Sequence, residues 1–62
     1  MNASVQGALA QINKSWKAFT HNGKCMTKKE VKAVLEYADK KGYTGTDQLT
    51  NEEIDSILIN LP

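Results

Sequence analysis

The 62-residue chain is most sharply limited by what it lacks. It has no arginine; all of its cationic side chains are lysines. Arginine makes the commonest specific contact with guanine, so a readout of base sequence is disfavoured from the start. There is one cysteine, Cys25, which excludes an intrachain disulfide, and one histidine, His21. Together they fall short of the four-ligand set of a structural zinc site, so no metal and no cofactor is expected. No apolar run approaches the roughly 20 residues that a membrane span requires. Gln6, Gly7 and Gln11 interrupt the first apolar stretch, and Met1–Ser4 carries no lysine, which does not fit a signal peptide. Asn2 stands where a myristoylation signal needs glycine. With a free thiol and no export signal, the expectation is a cytoplasmic protein without membrane contact.

A chain this short buries only about 60% of its unfolded surface. It is expected to form a single domain over 1–62 with a marginal core. It is too small to enclose an ordinary substrate pocket, so no small-molecule substrate is expected.

Two stretches organise what is there. Met26-Thr27-Lys28-Lys29-Glu30-Val31 and Leu49-Thr50-Asn51-Glu52-Glu53-Ile54 share one pattern: apolar, Thr, two polar, Glu, aliphatic. Thr27 and Glu30 have the spacing of a reciprocal capping box, and so do Thr50 and Glu53. Met26 and Leu49 lie where they can staple onto Val31 and Ile54. Each stretch therefore starts a helix, the first predicted over about 28–41 and the second over about 51–60.

An earlier helix is predicted over about 3–20, capped by Ser4 or Asn2. Val5, Leu9, Ile12, Trp16 and Phe19 are spaced 4, 3, 4 and 3, which is one helical stripe. Asn22-Gly23 ends it as a turn dipeptide. The second helix offers Val31, Val34, Leu35 and Ala38; the third offers Ile54, Ile57, Leu58 and Leu61. The expected fold is all-α, a small three-helix bundle, with Trp16 mostly buried between the second and third helices.

The motifs that could carry chemistry are weak. Phe19 to Glu30 and Gly42 to Glu53 have the outline of calcium loops. Positions one, three and five should be acidic, yet they are Phe19, His21 and Gly23 in one copy and Gly42, Thr44 and Thr46 in the other. His21 and Cys25 lie four residues apart, but no acid nearby in sequence orients the histidine. Glu52, Glu53 and Asp55 read as charges at a helix start. The chain is therefore not expected to be an enzyme.

Charge is divided unevenly. Residues 1–32 hold six lysines (Lys14, Lys17, Lys24, Lys28, Lys29, Lys32) against one acid, Glu30. Residues 33–62 hold Lys40 and Lys41 against six acids. The function expected first is a non-enzymatic helical module that binds another protein or itself, with Ile59, Tyr43 and Tyr37 as the side chains available at the interface. Ile59 falls off the buried stripe of its helix. The alternative is a nucleic-acid-binding protein whose six N-terminal lysines contact phosphates.

Overall fold

The computed structural model describes residues 3–61. Thr27 and Thr50 start its two long helices, α3 (Lys28–Lys40) and α4 (Asn51–Asn60). Thr27 Oγ1 accepts from the Glu30 amide at 3.2 Å, and Glu30 Oε1 accepts from the Thr27 amide at 2.8 Å. Thr50 and Glu53 repeat the exchange at 3.1 and 2.9 Å. Met26 and Val31, and Leu49 and Ile54, all reach the buried core, as the staple spacing predicts. Thr27→Ala and Thr50→Ala should each cost about 1 kcal/mol. For so small a domain that lowers the melting temperature by about 4–8 °C in a thermal scan followed by circular dichroism.

α3 ends in a Schellman motif. Gly42 has φ 81°, a left-handed conformation that costs glycine nothing. Its amide donates to the Asp39 carbonyl at 3.0 Å, and the Tyr43 amide reaches back to Ala38 at 2.8 Å. The linker to α4 holds a short 3-10 turn, Thr46–Gln48. The Gln48 side-chain oxygen accepts from the Thr44 and Gly45 amides at 2.7 and 3.0 Å, which closes that loop.

The first predicted helix is divided. α1 (Val5–Ala10) begins at Ser4, whose hydroxyl accepts from the Gly7 amide at 3.3 Å; the other proposed cap, Asn2, lies outside the described residues. Gln11, at φ −118° and ψ 23°, leaves the helical region, and α2 (Ile12–Ser15) follows. Trp16–Ala18 then tightens into a 3-10 turn. Phe19 is extended, and a two-stranded antiparallel hairpin comes next: β1 (Thr20–His21) and β2 (Lys24–Cys25). Asn22 (φ 54°) and Gly23 (φ 77°) form its turn. Positive φ at both central residues suits the right-handed twist of such a ribbon, which Asn-Gly supports. Among the described residues the fold is thus mostly helical, with four α-helices and a small sheet, where the sequence predicts three continuous helices.

That difference relocates Trp16. The turn stops at Ala18 and Phe19 is extended at φ −92° and ψ 126°, so Trp16 and Phe19 no longer share a helical stripe. Phe19 enters the core, while Trp16 is half-buried on its edge with the Lys17 ammonium 5.7 Å from its ring centroid. The core is built on α3, whose Val31, Val34, Leu35 and Ala38 are all buried. Val5 and Ala8 cover it from α1, Phe19 and Met26 from either side of the hairpin, and Leu49 and Ile54 from α4 and its approach. Leu9, Ile12, Ile57 and Leu58 are only half-buried around it.

The helices alternate in direction. The Gln6 side chain donates to Asp39, and the Val5 amide donates to the Thr44 carbonyl at 2.9 Å, so α1 starts beside the end of α3. The Met26 amide donates to the Phe19 carbonyl at 3.0 Å, closing the opposite end just before α3 begins. α4 starts beside Tyr37 and Tyr43 and runs back toward the hairpin, where Leu58 borders Met26 and Glu30.

Candidate interaction surface

This alternation turns the charge asymmetry of the sequence into two poles. Lys14, Lys17, Lys24, Lys28, Lys29 and Lys32 lie toward the hairpin end, and all six are exposed. Glu36, Asp39, Glu52 and Glu53 lie toward the end where α3 stops and α4 starts, while Asp47 borders Thr20 and His21 of β1. Glu52 and Glu53 at the start of α4, and Lys40 and Lys41 at the end of α3, complement the helix dipoles. Lys28 and Lys29 do the reverse. They occupy the first turn of α3, where each cation opposes the dipole by about 0.3–1 kcal/mol.

Glu53 ties the acidic pole together. One of its oxygens accepts from the Thr50 amide; the other accepts from the Tyr37 hydroxyl at 2.8 Å and the Tyr43 hydroxyl at 2.9 Å. Three segments, α3, the linker and α4, meet on one carboxylate. The Thr50 amide and the two phenols hold the Glu53 pKa down to about 2. The phenols, donating to a carboxylate, are raised above their ordinary value. Because the folded pKa of Glu53 lies below the unfolded value of about 4.3, its contribution is fully present above about pH 5 and is lost as pH falls toward 2. The midpoint of urea unfolding should therefore drop between about pH 5 and pH 2, and the drop should be smaller in Glu53→Gln. The raised phenols contribute in the opposite sense, with stability lost as pH climbs through their folded values above about 10.

Tyr37 and Tyr43, expected at an interface, are thus half-buried against the core with their hydroxyls engaged internally. Ile59 is different. It is 81% exposed, and among the described residues no other large apolar side chain is classed as exposed. It stands on the outer edge of α4 with Glu52, Asp55 and Ser56, one helical stripe that faces solvent. Leu58 and Leu61 flank it, half-covered.

Beside α4 an open cleft of about 260 Å³ is bordered by His21, Lys24, Cys25, Met26, Glu30, Asp55 and Leu58. His21 Nε2 donates to Asp55 Oδ1 at 2.6 Å; the histidine side chain is 8% exposed and the aspartate 52%. Asp55, distant in sequence, is the orienting acid that sequence spacing could not supply. Even so, the hairpin register pairs His21 with Lys24 and Thr20 with Cys25. His21 and Cys25 are not cross-strand partners, and the imidazole nitrogen is directed at a carboxylate and not at the thiol. The cleft is smaller than the roughly 300–1,000 Å³ of ordinary ligand sites. A second hollow of about 390 Å³, at the break between α1 and α2, is bordered by Ala10, Gln11, Asn13 and Lys14 and brings no acid or histidine together. Among the described residues no group of three His, Cys, Asp or Glu side chains could hold a metal ion. No described helix is long and apolar enough to cross a membrane.

No family model, no curated protein and no solved structure matches the chain.

The Glu53 hub and the His21–Asp55 bond are the polar features that sequence reasoning missed. Their partners are separated by 16, 10 and 34 residues, with no local pattern linking them.

Proposed function

We propose that the chain is a non-enzymatic protein-interaction module that docks through the outer edge of α4. In this reading its scaffold is a three-helix bundle in which α1 and α2 together take the place of the first helix. The observation that carries the reading is Ile59, 81% exposed beside half-covered Leu58 and Leu61. Glu52, Asp55, Ser56 and Ile59 recur at the i, i+3, i+4 and i+7 spacing that helical docking faces use. The face is acidic where α4 starts and apolar where it ends. A second copy offering the same face sets acid against acid, which favours a different protein with cationic groups around an apolar anchor.

The test places a photo-crosslinking residue at Ser56 in the native host and compares the chain with and without Ile59→Asp. So exposed a substitution should leave stability within about 0.5 kcal/mol, hence an almost unchanged melting curve. The expected result is one heterologous adduct that disappears in Ile59→Asp. An adduct that survives the substitution, or only self-adducts, contradicts the reading.

A further inference from the structure

The first turn of α3 carries two lysines that its helix dipole does not favour. Glu30 in α3, Glu52 and Glu53 at the start of α4, and Lys40 at the end of α3 with Lys41 as its cap follow the dipole, while Asp39 in the last turn of α3 does not. Lys28 and Lys29 oppose it. Lys28 and Lys32 add a like-charge i, i+4 pair on one exposed face. Antiparallel packing then brings Lys14, Lys17 and Lys24 to the same end. Among the described residues, Glu30 and Asp55 border the same cleft as Lys24, and each carboxylate has a partner. Glu30 caps its own helix through the Thr27 amide, and Asp55 accepts from His21.

We propose that this pole binds the phosphate backbone of duplex nucleic acid without reading its sequence. The surface fits an extended array of phosphates better than a single one. The start of α3, the natural seat for one phosphate, is closed by the Glu30 carboxylate. The cations lie outside that seat, exposed on a body whose extents are 24, 23 and 21 Å. Duplex DNA offers a charge about every 1.7 Å along its axis, so several lysines across such a pole meet phosphates at once. All-lysine composition supplies point charges for backbone contact and no guanine-reading forks. This surface is centred on the start of α3 and meets the Ile59 edge of α4 only at Asp55, which borders the same cleft as Lys24.

The experiment is fluorescence anisotropy with a labelled duplex of about 20 base pairs, titrated at several salt concentrations from about 50 to 200 mM. The wild-type chain should bind at the low end, and log affinity should fall linearly with log salt, with a slope near −0.9 per phosphate neutralised. The triple variant Lys24→Gln/Lys28→Glu/Lys32→Gln should lose at least about tenfold in affinity and flatten the slope by roughly 1 per lysine removed. It should melt no lower than wild type, because Lys28→Glu places an acid where the dipole favours one. Lys40→Gln/Lys41→Gln, at the other pole, and Ile59→Asp should each keep affinity within about twofold, since neither touches this phosphate surface. Absence of binding at low salt, or equal loss in the Lys40/Lys41 variant, overturns the proposal. So does displacement of the duplex by polyglutamate at matched charge, which assigns the pole to an acidic protein.

Discussion

Leu35→Ala leaves the chain largely unfolded at room temperature. Leu35 lies in the middle of α3 with 0% of its surface exposed and is the largest of the fully buried side chains. α3 is the element on which α1, α2, the Trp16–Ala18 turn and α4 all pack, so a cavity there faces every layer. Removing three buried carbons from such a site costs about 2–5 kcal/mol, and more when the surroundings cannot collapse into the space. The whole stability of a scaffold of this size, without disulfide or metal, is about 3–5 kcal/mol. Far-UV circular dichroism should show most of the helical signal gone at 25 °C. A variant that stays helical and melts cooperatively within a few degrees of wild type would show that the core is not centred on α3.

The second large effect separates two aromatic residues that the sequence treats alike. Phe19→Ala is expected to unfold the chain, at a cost of about 3–5 kcal/mol, because Phe19 is 6% exposed and seals the core where the hairpin joins the helices. Trp16→Ala should be tolerated. Trp16 is half-buried on the rim, with its ring partly covered by Lys17, so much of its surface is already wet and truncation leaves a notch, not a cavity. Paired thermal melts decide the matter. If Trp16→Ala unfolds and Phe19→Ala does not, then the helix continues through residue 18 and the hairpin is misplaced.

The two aromatics show where sequence reading succeeds and where it stops. A 4, 3, 4, 3 stripe survives a one-residue break, because apolar spacing alone does not register that Gln11 has left the helix. The hairpin was invisible for a related reason: strands of two residues are too short to show alternation. Asn22-Gly23 was legible as a turn, but its partners across the turn were not. Of the side chains expected at an interface, Ile59 could be read as exposed because it falls off a helical stripe. Tyr37 and Tyr43 could not be told from exposed residues, because what engages them is a carboxylate on another helix.

The chain by itself determined where α3 and α4 start and where α3 stops. Thr27 with Glu30, Thr50 with Glu53, and Gly42 with Tyr43 close hydrogen bonds over three to five residues, a range that sequence specifies without help from the rest of the fold. Tertiary structure decided which aromatic is buried, which tyrosines are committed to Glu53, and that Asp55 meets His21. It also decided that six lysines scattered over 19 positions share one end of the molecule. Each of these depends on helices running antiparallel, so that residues far apart in the chain are brought to the same end. Such contacts follow from how apolar faces pack together and not from the spacing of the residues that finally meet.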